Sequence, residues 1–182
     1  GETDVVALER ERLEPDSLNL DVGAGSGRDA SALLALGHKV HANDPSDALR
    51  RAALELHPEL AGALASDSLP HLGTIANRSY DAVICRAVLM HLPRSDYSTA
   101  LRNIRRVLKP GGELTLAVPV RRDDLDTQSR DAAGRLHTVV PVEDVVRLAR
   151  VNGLSLVHSK TTVDPQRPGI EWWTGGLRRE QP

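Results

Sequence analysis

Apolar and polar positions along this chain follow two alternating periods, and the alternation predicts strands and helices in turn. Leu18-Asn19-Leu20-Asp21-Val22 is a short apolar run entering a glycine loop, which marks a first strand. A helix is expected from about Arg28 to Leu36, stopped by Gly37. His38–Asn43 reads as a second strand, and Asp44-Pro45-Ser46 opens another helix with Ser46 as its N-cap. In that helix Leu49, Ala52, Ala53 and Leu56 share one face. Leu60–Ala65 is a weaker third strand, and Tyr80–Arg86 a stronger fourth through Ala82-Val83-Ile84-Cys85.

The helix that follows starts near Ser95, with Tyr97, Leu101, Ile104 and Leu108 on its buried side. Lys109-Pro110-Gly111-Gly112 stops it, and a fifth strand is expected over Glu113–Val118. Residues 120–138 are polar and poorly patterned, so a long mobile loop is expected there. Pro141 stands at the start of a last helix whose apolar face is Val142, Val145, Val146 and Ala149, ended by Asn152-Gly153. Residues 154–163 and 169–177 form a closing antiparallel pair. A short helix over 3–13, within an N-terminal segment of residues 1–16, precedes all of this. Alternating elements without repeat or linker predict one α/β domain over residues 1–182.

Composition narrows the classes. Lysine and arginine number 23 against 25 acids, a formal net charge of -2, and no long basic run is present. The electrostatic footprint of a duplex binder is missing, which lowers RNA or DNA as a partner. With no Phe, two Tyr and two Trp, the chain lacks the stacking platforms of a single-strand binder. Its single cysteine, Cys85, excludes an internal disulfide and fits a reducing compartment. No apolar run approaches the roughly 20 residues of a membrane span, so no membrane partner and a cytoplasmic location are expected. The charged ending Leu177–Pro182 fits the front part of a longer protein.

The candidate chemistry gathers at Gly23-Ala24-Gly25-Ser26-Gly27. A glycine loop between a strand and a helix admits a ligand close to unpaired backbone N–H groups. Asp44 ends the second strand about twenty residues on, where an acid commonly accepts from ribose hydroxyls. To this point a dinucleotide site fits equally. Three details favour another ligand. The spacing is G-x-G-x-G. Asp21 stands just before the loop, where a carboxylate repels a diphosphate and attracts an ammonium group. Asp67-Ser68 follows the third strand, where a carboxylate can accept from an adenine amine. Asp21 and Asp44 also have plain uses as turn and cap residues.

Together these segments resemble class I, Rossmann-like, S-adenosylmethionine-dependent methyltransferases. Leu20–Gly27 is similar to their first motif, Asp44-Pro45-Ser46 to the ribose turn, and Asp67-Ser68-Leu69-Pro70 to the adenine turn. Tyr80–Cys85 with Val88-Leu89-Met90-His91-Leu92 resembles the fourth-strand motif, and Leu108–Gly112 the turn before the fifth strand. The resemblance spans roughly residues 18–118 in the expected order. It implies a seven-stranded, mostly parallel sheet of order 3-2-1-4-5-7-6, strand seven antiparallel, with helices on both faces. It also implies S-adenosylmethionine as cofactor, leaving as S-adenosylhomocysteine. The implied seat is Asp21, Gly23, Ala24, Gly25, Gly27 and Arg28 at the loop; Asp44, Pro45 and Ser46; Asp67, Ser68 and Leu69; and the backbone at Arg86-Ala87.

A methyl group moving in line to a nucleophile needs proximity and a dry pocket, and a base only when the acceptor is protonated. His91 is the candidate base; its alternative is to pack and hydrogen-bond beneath the helix. Arg86 can bind an acidic ligand or form a surface pair, and Cys85 reads as a buried inert thiol. No His, Cys and acid spacing suggests a metal site, including His38 and His41. Asp123, Asp124 and Asp126, beside Arg121 and Arg122, read as a solvated loop. Trp172 and Trp173 adjoin on one strand and so face opposite ways, one toward the core and one toward a substrate or partner.

Runs that the family uses for planar amines, or for cytosine C5, are missing after strand four. A small-molecule O-, N- or C-acceptor is therefore favoured over RNA or protein, and the oligomeric state is not legible. An NAD-dependent oxidoreductase lacks a Tyr-x-x-x-Lys pair here. A non-catalytic partner subunit would show eroded glycines.

Overall fold

The apolar runs Leu18–Val22 and Tyr80–Arg86 pair in parallel at the centre of a sheet. A computed structural model describes residues 13–182. The helix expected over 3–13 lies outside those residues except for its last position. Among the described residues the strands are β1 (Leu18–Val22), β2 (Lys39–Asn43), β3 (Leu64–Ala65), β4 (Tyr80–Arg86), β5 (Leu108–Arg122), β6 (Leu154–Val163) and β7 (Ile170–Arg179). Their order is β3-β2-β1-β4-β5-β7-β6, parallel except for β7, which runs antiparallel to both β5 and β6. This is the sheet that the resemblance implies.

Alternation along the strands sorts residues between two helical layers. On one face Leu20, Val22, Val83, Cys85, Leu114 and Leu116 pack with α3 (Tyr97–Val107) and α4 (Val142–Val151), which contribute Leu101, Ile104, Val145 and Ala149. On the other, Val40, Ala42 and Ile84 meet α1 (Arg28–Ala35) and α2 (Asp47–Leu56) through Ala30, Leu33 and Ala53. Asp21 pairs in register with Ile84 and so faces this second side, away from Leu20 and Val22. Past β4 this side of the sheet becomes polar, with Glu113, Thr115, Lys160, Thr162 and Thr174. Among the described residues no helix is long and apolar enough to cross a membrane.

Several boundaries differ from the sequence expectation. The weak third strand shortens to two residues because Pro58–Leu60 turns as a 3-10 helix and buries Leu60. The fifth strand is longer at both ends. Lys109–Gly112 is absorbed as a bulge, since Tyr80 pairs with Leu108 and Ala82 with Glu113. Arg121 and Arg122 pair with Glu171 and Ile170, so the segment expected as a loop over 120–138 begins as strand. In α2, Ser46 caps as expected, its Oγ accepting from Leu49 N at 3.2 Å. The predicted apolar face does not bury, however: Leu56 is 65% exposed and Leu49 42%. That helix docks through the small Ala53 against Leu60 and the glycine loop, an approach that large side chains would block.

Candidate active site

The site is built where β1, β2 and β4 end. The glycine loop is tied to the end of β2 by backbone and side chain together. Ala24 N donates to Asn43 O at 2.9 Å, Gly23 N to Asn43 Oδ1 at 3.4 Å, and Gly25 N to Asp44 Oδ2 at 3.0 Å. Asp44 Oδ1 accepts from Ser46 N at 2.9 Å, which turns the chain into α2. Two of the glycines are required sterically. Gly27 has φ +81°, and a Cβ there would stand 2.5 Å from Leu60 Cδ1; Gly23 has φ +66°, with Val88 Cγ2 at the same distance.

Asp21, Gly23, Ala24, Arg28, Arg86 and Ala87 line one cavity of about 690 Å³. Asp21 is 4% exposed. Burial pushes its carboxyl up to about 8, helped by the Asp29 carboxylate and opposed by Arg86. The acid expected to stand charged beside the loop is therefore mostly protonated at neutral pH. Arg86 pairs with Asp29 across 3.6 Å, an ion pair within the cavity wall, which is the second of its two expected uses. Ala87 turns the chain out of β4 with φ +58°, a left-handed conformation uncommon for a residue with a Cβ. Beneath them Cys85 is fully buried, its thiol pushed up to about 12 by burial and by Asp21.

Asp44 sits outside this cavity's lining, buried at 6% exposure, while Pro45 is exposed beside it. Asp67 is placed in a separate recess of about 150 Å³ with His41, Asn43 and Thr74. Its Oδ1 accepts from Ser68 N and its Oδ2 from Thr74 N, each at 2.8 Å. Burial pushes the Asp67 pKa up, but the Thr74 hydroxyl, which donates to Oδ2 at 2.5 Å, and these backbone bonds outweigh it and hold the group below the usual carboxylate range. Leu69 is buried in the core and contributes no exposed surface there. The buried Asn43 Nδ2, on the same recess, has no hydrogen-bond partner among the described residues.

His91 lies farther along the rim. Its Nδ1 donates to Leu136 O at 2.8 Å, and its ring stacks edge-on against His137, centroids 4.6 Å apart. Thr138 N donates to Met90 O at 2.7 Å beside it. His137 is 2% exposed; Arg122 donates to its Nδ1 at 3.1 Å, so its Nε2 carries the proton and donates to Asp131 at 2.8 Å. Burial pushes the His137 pKa down against the Asp131 bond, and the Arg122 and His91 charges add to the fall. Residues 123–138 are thus a loop pinned at its far end. Asp123 and Asp124 pair with Arg121 and Arg122, and Asp126 accepts from the backbone of Gln128 and Arg130.

The far wall of the main cavity was not foreseen. Lys160, Thr162, Asp164, Arg167, Trp172 and Thr174 of the β6–β7 hairpin face the glycine loop across it. The one sequence signal for this wall was the tryptophan pair: Trp173 is buried in the core at 4%, and Trp172 lines the cavity. A second cavity of about 690 Å³ lies toward the other ends of the strands, lined by Asp81, Lys109, Glu113 and His158, and it shares Thr174 with the first.

The model of a family described as methyltransferase domain matches residues 20–116, which covers every element from β1 into β5. The chain is similar to a ubiquinone biosynthesis O-methyltransferase of Xanthomonas campestris pv. campestris, with 33% identity over 138 residues, 74% of this chain. It spans about half the length of such curated relatives, 52%. Among solved structures it is similar to a Burkholderia thailandensis 1,6-didemethyltoxoflavin-N1-methyltransferase with bound 1,6-didemethyltoxoflavin and S-adenosylhomocysteine. There the TM-score is 0.77 and the identity 23%, over 97% of this chain and 76% of that one. A Haemonchus contortus phospholethanolamine N-methyltransferase 2 gives TM-score 0.74 at 17% identity, over 97% and 52%. At such identities the structures speak for the fold.

Proposed function

The chain belongs to the methyltransferase-domain family, of the class I Rossmann-like kind, and from that premise we propose that it transfers a methyl group from S-adenosylmethionine to a small molecule. One observation carries the reading: a buried carboxyl, Asp21, opens onto the same cavity as the glycine-loop backbone, Arg28 and Arg86. The residues fit such a cofactor. Asp21 would hold its ammonium, Arg28 its carboxylate, and the Gly23-Ala24 and Arg86-Ala87 backbones its sides. Asp44, Pro45 and Ser46 would border the ribose, with Gly25 and Gly27 shaping the loop beneath. Asp67, Ser68 and Leu69 would border the adenine. A carboxylate oxygen has two lone pairs, so the backbone bonds to Asp44 and Asp67 leave further sites for ligand donors.

When bound, the cofactor supplies a methyl group on a positively charged sulfur. The protein's part is orientation and exclusion of water around the acceptor. A cavity of about 690 Å³ has the size of a small-molecule site, which favours such an acceptor over RNA or protein. Calorimetric titration is the test. S-adenosylmethionine and S-adenosylhomocysteine are expected to bind, and NAD to give no heat. Preference for NAD would make the site an oxidoreductase's; silence toward all three would fit a non-catalytic subunit.

His91 serves, in this reading, as the post that holds residues 123–138 to the rim. His91→Ala is expected to speed proteolysis within that segment severalfold while leaving S-adenosylhomocysteine affinity within about twofold, because only loop contacts are lost. A general base would behave otherwise: turnover would fall about 100-fold or more with the loop unchanged.

A further inference from the structure

We propose that the β6–β7 wall of the main cavity binds a planar ring bearing an anionic group, such as an aromatic carboxylate, with Lys160 as the charge and Trp172 as the flat surface. The inference rests on the methyl-transfer reading, with the ring acid as the acceptor.

Lys160 pairs with Thr174 and Thr162 with Trp172 across the hairpin, and strand alternation turns all four toward the cavity. The indole is set before any ligand arrives. Its Nε1–H donates to Asp164 Oδ2 at 3.1 Å, and Asp164 is itself held by Arg167 Nη2 at 2.8 Å. The backbone N–H groups of Gln166 and Arg167 add two bonds of 3.0 Å each to Asp164. A ring fixed in this way loses little freedom when a second ring stacks on it.

The charges of the cavity point the same way. Arg86 is matched by Asp29 and Arg167 by Asp164. Arg28 and Lys160 line the same cavity with no ion pair or hydrogen bond among the described residues. Arg28 stands at the glycine loop, within reach of a carboxylate on the cofactor side. Lys160 stands exposed on the opposite wall, diagonal to Trp172 across the hairpin, and is left for the second ligand. A charge-assisted bond from an ammonium to a carboxylate is stronger than a bond to a neutral analogue.

The probes are 2-naphthoate, 2-naphthamide and decahydro-2-naphthoate, titrated by ligand-observed NMR against the protein saturated with S-adenosylhomocysteine. The naphthoate is expected to bind about tenfold or more tightly than the amide, and severalfold more tightly than the saturated acid. Lys160→Met should erase the acid-over-amide preference and Lys160→Arg keep it, while Trp172→Leu should erase the flat-over-saturated preference. Equal binding of acid and amide, or a preference that survives Lys160→Met, overturns the proposal. Calorimetry of S-adenosylhomocysteine on the same sample separates the two readings. Cofactor binding without a ring-acid preference removes this subsite alone. A ring-acid preference without cofactor binding removes methyl transfer, and with it the acceptor role.

Discussion

An Asp44→Ala protein is expected to melt about 5–15 °C below the native chain and to bind S-adenosylhomocysteine about thirtyfold or more weakly. The carboxylate adds to the Asn43 bonds a link between the glycine loop and the turn into α2. One oxygen takes Gly25 N at 3.0 Å and the other Ser46 N at 2.9 Å, at a position 6% exposed. Alanine leaves both amides without an acceptor, at about 1–3 kcal/mol each where water cannot reach. The glycine loop then loses the Gly25 tether while keeping those of Gly23 and Ala24 to Asn43, and the ribose hydroxyls lose the acceptor proposed for them. Asp44→Asn should fall between, because the amide keeps one acceptor oxygen and turns a donor toward the other backbone N–H. Thermal melting and calorimetry on the three proteins check this. A protein that melts lower but binds normally would confine Asp44 to the turn; unchanged melting and affinity would remove it from both roles.

Legibility in the sequence followed the kind of force at work. β1 and β4 were readable to the residue because their apolar positions, Leu18, Leu20 and Val22 in one and Ala82-Val83-Ile84-Cys85 in the other, are bounded by turn residues on both sides. The cap at Ser46 and the start of α4 at Pro141 were readable because they depend on neighbours in sequence. Leu49 and Leu56 misled because periodicity reports which residues share a face, not whether the fold has anything to put against it. Of the implied seat, Asp21, Gly23, Ala24, Arg28, Arg86 and Ala87 meet in one cavity, whereas Asp44 lies outside its lining and Asp67 in a separate recess. Lys160, Asp164 and Trp172 come from more than 70 residues downstream of Arg86 and reach that cavity only through the antiparallel return of β7. The pinned His137 was equally hidden, since its partners Asp131 and Arg122 lie in a stretch without periodicity. The charge of Asp21 could not be read from sequence at all, because burial decides it.

That charge gives the second large effect, a proton released on binding. With its carboxyl pushed up to about 8 by burial and by Asp29, Asp21 is mostly protonated in the ligand-free protein at pH 7. An ammonium group placed against it favours the charged form, so S-adenosylhomocysteine binding at pH 7 should expel close to one proton. Calorimetry in buffers of different ionisation enthalpy counts it, and Asp21→Asn should reduce the count to near zero. A diphosphate at the same place would disfavour the carboxylate and expel none, so the proton count separates a ligand that brings an ammonium to Asp21 from a dinucleotide. Stability carries the same signature. A folded pKa raised above the unfolded value of 3.8 contributes stability that is complete at acid pH and is lost as pH rises toward 8. Between pH 6.5 and 8 the ligand-free protein should lose about 1.5 kcal/mol, or roughly 3–6 °C in melting temperature, and Asp21→Asn should flatten that slope. The groups held below their usual range act elsewhere: Asp131 and Asp164 titrate at acid pH, and His137 below the ordinary histidine range. A flat melting profile over that window, together with binding that releases no proton, would mean that Asp21 is already ionised in the free protein or is never met by a cation.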